Sequence, residues 1–417
     1  MKKKIKNSCI NEFDPSAIDE IIALKKILAS IVSIKKTESL NIKDTLGRIC
    51  AKDIKSKINI PTFRNSAMDG YAINIKDLKN NKYTLKESSV SLAGRPTSSK
   101  LLSGETIRVM TGAMIPNNCD AVVMKEMVEI NHDKISFSKY IKKNQNIRFI
   151  GEDIKRLDKV IKKGQAIEFV HLGLLSSVGI KSIKVFIKPT ISYFSTGDEL
   201  ISVNKKLKKG MIYDSNRYLL HGLLSKLPVK IKDMGVVKDN QSALIKKLTK
   251  CSAISDFIIT TGGVSVGDAD FIKDALEKIG KINFWKIAVK PGRPLAYGKI
   301  NKVDFFGLPG NPVSTIVTFQ LFVQPAIEKL INLPSYKNLI LRAKTMEDIS
   351  KKKGRVEYKR AYLSFNNDML SVKISGLQGS NILTSLSKAN CYIRLSSNVK
   401  TIKKNSFVDV IPFGTRL

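Results

Sequence analysis

Thr260-Thr261-Gly262-Gly263-Val264-Ser265-Val266-Gly267-Asp268-Ala269-Asp270 joins a strand-like run, Asp256 to Ile259, to an amphipathic helical run, Phe271 to Ile279. Three glycines and two carboxylates thus fall at a strand-to-helix turn. Glycine permits positive φ and lets a phosphate-bearing ligand approach the main chain. The N-terminus of the following helix offers unpaired N–H groups and a dipole that favours anions. An anion held beside two acids calls for a divalent cation between them, which makes Asp268 and Asp270 candidate Mg²⁺ contacts. Helix capping alone would account for Asp268.

Working outward, Phe284-Trp285-Lys286-Ile287-Ala288-Val289 leads to Lys290-Pro291-Gly292-Arg293-Pro294. Phe305-Phe306-Gly307-Leu308-Pro309-Gly310-Asn311-Pro312-Val313-Ser314 then forms a second strand-to-helix turn. Asn311 suits the N-cap, Pro312 the first helical position, and Ser314 brings a hydroxyl beside free backbone donors. Upstream, the strand-like Thr190 to Phe194 ends in Ser195-Thr196-Gly197-Asp198-Glu199, and Gly210 to Asn216 leads into a helical run from Arg217 to Leu227. Strands alternating with helices predict a mostly parallel sheet covered by helices, with its ligand crevice outside the carboxyl ends of the strands.

These turns resemble those of the molybdopterin molybdenumtransferase family, the enzymes that insert molybdate into molybdopterin to make molybdenum cofactor. The similarity runs from about Pro61 to Ile411. Thr62-Phe63-Arg64-Asn65-Ser66-Ala67-Met68-Asp69-Gly70-Tyr71-Ala72 is similar to the family's Ser-Ala-Met-Asp-Gly-Tyr-Ala signature. Ile107 to Ala113, Asp120 to Val123 with Glu126, Gly151 to Ile154, Gln378 to Ser380 and Ser385 to Asn390 follow in the family's order. Leu157, where the family usually has Gly before an Asp, and Arg64, an uncommon neighbour of Asn65, depart from the pattern.

Read together with the periodicity, the resemblance implies a multidomain α/β plus β protein. Residues 1–60 and 147–188 form an elongated, discontinuous N-terminal domain, in which a helix at Glu168 to Val178 packs back on one at Ile18 to Val32. Residues 61–146 form an inserted β-rich domain. Residues 189–333 form a three-layer α/β molybdopterin-binding domain with a helix from Ser314 to Asn332. Residues 334–417 form a C-terminal β-barrel, read from alternation in Arg355 to Leu363 and Met369 to Ile374 as a small antiparallel barrel or sandwich.

The implied reaction takes adenylylated molybdopterin and molybdate and releases AMP, with Mg²⁺ as cofactor and molybdate as substrate. By motif match its acids are Asp69, Asp153, Glu199, Asp239 and Asp270, with Glu199, Asp268 and Asp270 as metal candidates. Asp239 follows the strand-like Lys232 to Val237 and could equally be an N-cap; Asp69, before Gly70, could serve a turn. Lys286 and Lys290 match two lysines of the family. Four apart in one strand, they would share a face and reach one anion. Substrate candidates are Thr111, Gly262, Gly263, Ser265, Gly267, Asp268, Pro309, Gly310, Asn311, Ser314, Asp239, Arg360 and Ser380. Arg360 and Ser380 match positions tied to molybdate or the partner subunit, and so call for a site built across a dimer.

Seventy-two Lys plus Arg against 36 Asp plus Glu give a formal net charge of +36, which ordinarily prompts a nucleic-acid reading. The excess is scattered Lys without an aromatic-plus-basic pattern, zinc-finger spacing or recognition helix, so no specific nucleic acid is expected. Five dispersed cysteines suggest neither a disulfide framework nor a CxxC site and fit a reduced cytoplasm. No apolar run reaches membrane-spanning length, and Met1 to Lys6 is not followed by the apolar run of a signal peptide. The expected partners are a second copy of the chain and, upstream, a molybdopterin adenylyltransferase. Two alternatives share the α/β domain: a molybdopterin adenylyltransferase, and a non-enzymatic scaffold. The flanking β domains weigh against the first, and joint retention of the acids and lysines against the second.

Overall fold

Asp19 starts the first helix, α1 (Glu20–Ser30), by accepting the N–H groups of Ile21 and Ile22 on its carboxylate. The computed structural model describes residues 16–98, 100–263, 276–334, 338–366 and 368–414. Ala23 and Ile27 of α1 enter the largest core, alongside Phe257, Phe306 and Val317 far along the chain. The next helix of this domain, α2 (Phe169–Ser177), sends Leu175 into a different core with Cys50, Ile161 and Val185. The two helices therefore do not pack on one another as their amphipathic patterns suggested. The domain closes instead through antiparallel strands, β1 (Thr37–Asn41) on β2 (Ser182–Phe186).

At the neck of the inserted region, Asn65–Ser66 pairs antiparallel with Ile147–Arg148. The region itself is a six-stranded sheet with Ala121–Met124, Gly70–Ile73, Glu105–Val109, Thr84–Ser91, Lys134–Phe137 and Val128–Asn131 as successive neighbours. Gly70 is required there, because a Cβ would lie 2.0 Å from the Val123 carbonyl oxygen.

The central sheet contains β3 (Thr190–Thr196), β4 (Lys230–Val237), β5 (Phe257–Thr261), β6 (Gly280–Lys286), β8 (Pro294–Ile300) and β9 (Val303–Leu308); β7 (Val289–Lys290) leaves it. In space the order is β4-β3-β5-β9-β8-β6, parallel through β9 and antiparallel for the last two pairs. Helix α3 (Asn216–Leu224) covers one face with α1, and α4 (Gln241–Ile254) the other. Alternation decides which side chain goes where: Phe257 and Ile259 enter the first core and Ile258 the second. The Phe257 and Phe306 rings stack at 5.1 Å, each such burial contributing about 2–3 kcal/mol. The three-layer α/β expectation holds, with a mixed sheet.

The helix expected over 314–332 is interrupted. It runs as α5 (Pro312–Thr318), a π turn at Phe319–Val323 and α6 (Gln324–Leu330). Pro325 has no N–H to give to a regular ladder, and the wider turn before it accommodates that loss. In the C-terminal region β10 (Leu341–Thr345), β11 (Val356–Asn366), β12 (Met369–Ile374), β13 (Cys391–Leu395) and β14 (Phe407–Pro412) close on themselves, since β11 pairs with both β12 and β13. This is the expected barrel, but β10 and β12 run parallel, so it is not wholly antiparallel. Glu20 of α1 takes the Tyr358 hydroxyl at 2.9 Å and an ion pair from Arg394, tying the first helix to the barrel.

Candidate active site

The carboxyl ends of β3, β5 and β9 meet at bare backbone. Gly262 has φ +86°, donates its N–H to the Leu308 carbonyl at 3.1 Å, and would place a Cβ 2.4 Å from the Thr196 carbonyl oxygen. Gly263 also has positive φ. Gly310 comes close enough that its Cβ would sit 3.6 Å from the Gly262 Cα. Its carbonyl accepts the Asn216 side-chain amide at 2.7 Å, which fastens the start of α3 to this turn. Thr315 donates its hydroxyl to the Pro309 carbonyl at 2.6 Å. Asn311 occupies the N-cap of α5, although its side chain makes no capping bond, and Pro312 stands in the first turn. Ser314 is buried behind them. Ser265, Gly267, Asp268 and Asp270 lie outside the described residues.

Acids crowd the neighbouring edge. A Cβ on Gly197 would lie 2.6 Å from Glu199 Oε2, so the Glu199 carboxylate folds back over this stretch of main chain. The Asp239 N–H donates to Asp198 Oδ1 at 3.2 Å. Burial, and then the charges of Asp198 and Glu199, push the Asp239 carboxyl above the usual carboxylate range. Asp239 is not the N-cap of α4; Asn240 is, and its side chain accepts the Ala243 N–H at 2.9 Å. Sequence reasoning passed over Asp198, whose place beside Glu199 was the available signal. Among the described residues no group of three His, Cys, Asp or Glu side chains stands ready to hold a metal ion.

The two lysines are separated by a change of sheet. Lys286 ends β6, and its carbonyl accepts the Ile18 N–H at 2.7 Å. Lys290 lies in β7, which pairs parallel with β11 of the barrel in the register Lys290 with Glu357. They therefore do not sit on one continuous strand, as their spacing had suggested. Lys290 Nζ stands 3.4 Å from Glu357 Oε1, which also receives Lys359 Nζ at 3.1 Å. The Lys-Pro-Gly turn rests on α5: a Cβ at Gly292 would meet Thr318 Oγ1 at 2.5 Å and the Ser314 carbonyl at 3.5 Å. Lys290 and Ser314 thus belong to adjoining parts of the site.

Arg360 is 1% exposed. Its guanidinium donates to the carbonyls of Leu377 (2.9 Å), Gly379 (3.0 Å) and Gln378 (3.2 Å) and to Ser385 Oγ (3.1 Å). It is spent on shaping the loop that carries Ser380. The Ser380 carbonyl accepts the Val313 N–H at 3.1 Å within the same chain. Within one chain, then, this loop already reaches the start of α5.

On the inserted sheet, exposed Asp69 accepts both the backbone N–H and the hydroxyl of Thr111. Asp153 is exposed as well, its N–H donating to the Ile60 carbonyl at 3.0 Å. Among the described residues, no strand pairing joins 61–146 to the central sheet or the barrel.

Comparison with known proteins finds matches along most of the chain. Residues 18–179 match the family model described as "MoeA N-terminal region (domain I and II)". Residues 192–329 match "Probable molybdopterin binding domain", and residues 342–413 match "MoeA C-terminal region (domain IV)". A molybdopterin molybdenumtransferase of Haemophilus influenzae is 43% identical over 395 residues, covering 94% of this chain and 98% of that protein. One of Staphylococcus epidermidis is 32% identical over 394 residues, covering 93% and 94%. The crystal structure of a molybdopterin biosynthesis MoeA protein from Pyrococcus horikoshii superposes with a TM-score of 0.83 at 29% identity, covering 95% of this chain and all of that one. Four-part architecture, glycine turns and near full-length similarity agree: this chain belongs to the molybdopterin molybdenumtransferase family, transferases of molybdenum cofactor biosynthesis.

Proposed function

We propose that the protein inserts molybdenum from molybdate into adenylylated molybdopterin, with Mg²⁺ and with release of AMP. The observation that carries this reading is the meeting, at one sheet edge, of close-packed glycine backbone, crowded carboxylates and the Lys290 turn. Gly262 and Gly310 let phosphate oxygens approach the main chain at the start of α5. Lys290 and Lys286 offer ammonium groups to a tetrahedral oxyanion, and the Ser380 loop, shaped by Arg360, closes over the same helix start.

The donor chemistry suits Mg²⁺. Asp198, Glu199 and Asp239 are all hard oxygen donors, and burial first, then the charges of Asp198 and Glu199, raise the Asp239 carboxyl, a cost that a bound cation would offset. Glu199 and Asp239 would hold the ion. When bound, it offsets the charge that develops on the departing phosphate. We also read the protein as a cytoplasmic homodimer acting after a molybdopterin adenylyltransferase. Asp69 and Thr111, carried on a sheet unpaired with the central one, would then serve the edge of the opposite subunit.

Incubation of the protein with adenylylated molybdopterin, Mg²⁺ and molybdate tests this reading through AMP release and reconstitution of a cofactor-free nitrate reductase. Molybdate-dependent release that falls at least about a hundredfold in Glu199→Ala supports it. Adenylylation of molybdopterin from ATP, or no release at all, overturns it.

A further inference from the structure

Glu357 and Lys359 lie two apart on β11, on one strand face, and come from the barrel, while Lys290 comes from the α/β region. Both ammonium groups address the same oxygen, Glu357 Oε1, at 3.4 and 3.1 Å. Their surroundings differ sharply: the side chains of Glu357 and Lys359 are 7% and 11% exposed, that of Lys290 47%. The buried carboxylate therefore has a permanent, desolvated partner in Lys359 and a second, solvent-facing one in Lys290. Charge arithmetic separates their roles. Glu357 with Lys290 alone sums to zero charge, whereas adding Lys359 leaves the triad at +1 and so favours a dianion.

We propose that Lys359 and Glu357 are positioning residues for the oxyanion seat. Lys359 satisfies Glu357, so Lys290 is held in place by the carboxylate yet remains available to a tetrahedral dianion. The inference rests on the proposed use of molybdate at Lys290. It adds that the barrel sets the charge of that seat through a buried pair outside the motifs that carry the family resemblance.

The test is a double-mutant cycle read by the KM for molybdate in AMP release and by calorimetric titration of molybdate in the absence of molybdopterin. Lys359→Met should raise both KM and Kd about tenfold, because Glu357 then draws Lys290 inward, with kcat at saturating molybdate changed less than about threefold. Lys359→Arg, which keeps the charge, should stay near wild type. Lys359→Met with Glu357→Gln should recover to within about threefold of wild type, since the competing carboxylate is gone. A double variant as weak as Lys359→Met, or a Lys359→Met with unchanged KM and Kd, overturns the proposal. Wild-type protein that binds molybdate without turning over, with the variants in the stated order of Kd, keeps the positioning proposal and sinks the insertase reading. Protein that neither binds nor turns over sinks both.

Discussion

Asp69 Oδ1 accepts two hydrogen bonds from Thr111, one from its backbone N–H at 2.7 Å and one from its hydroxyl at 2.8 Å. The backbone bond, then the hydroxyl, hold the carboxyl below the usual carboxylate range, helped by the charges of Arg108 and Lys125. A depressed folded-state value contributes stability above the ordinary value of 3.8, which is lost as pH falls through the folded value. Thr111→Val keeps the backbone donor and removes the other. Carboxyl NMR titration should show Asp69 moving back up toward 3.8. AMP release should fall about tenfold, whereas Thr111→Ser should retain both properties.

Asp239 is shifted in the opposite direction by burial and by Asp198 and Glu199. An acid raised in the folded state is favoured when protonated. Its stabilising share is present below the unfolded value and is lost as pH rises through the folded one. Asp239→Asn should therefore raise the melting temperature at neutral pH without divalent cation. It should also shrink the rise that Mg²⁺ gives the wild type; a full Mg²⁺ response in the variant would remove Asp239 from the ion's ligands.

Arg360 shapes the Leu377 to Gly379 main chain with a planar fork that Lys lacks. Arg360→Lys should cost about 3 kcal/mol in urea unfolding, because carbonyls and Ser385 lose buried donors. Hydrogen exchange at the Val313 amide, which donates to Ser380, should accelerate before global unfolding.

Leu157 holds φ +78° while its N–H donates to the Ser56 carbonyl at 2.9 Å. The turn has kept the left-handed geometry that suits the glycine usual at this place. The side chain is 66% exposed and adds little packing. Leu157→Gly should stabilise the protein by about 1 kcal/mol, seen as a higher urea midpoint at unchanged m-value.

Local chemistry made the α/β region readable. Gly262 and Gly310 stand where side chains cannot, and Asn311 before Pro312 marks a helix start. Alternation over Met369–Ile374 delimited a strand correctly because one face of it is buried. What escaped the sequence depends on distant partners. The departure of Lys290 into the barrel sheet is set by pairing with Glu357, 67 positions later, and nothing in Lys-Pro-Gly announces it. Arg360 reads as a surface cation until the carbonyls of 377–379 fold around it. The separate cores of α1 and α2 were equally hidden, since an amphipathic stripe says that a face is buried but not against what. Residues 264–275, part of the stretch that opened the reading of the sequence, lie outside what the structure describes.

The neck at Asn65–Ser66 and Ile147–Arg148 brings the entry and exit of the inserted sheet side by side. Antiparallel neighbours stand about 5 Å apart, a gap that a short turn spans. Excising 67–146 and bridging the cut would leave every strand pairing of the α/β sheet and the barrel in register. The inserted sheet thus meets its host through one neck, where Arg64 to Ser66 also bond to residues 112–119 and Ile147 enters the insert's own core, while every strand pairing of the host lies outside it.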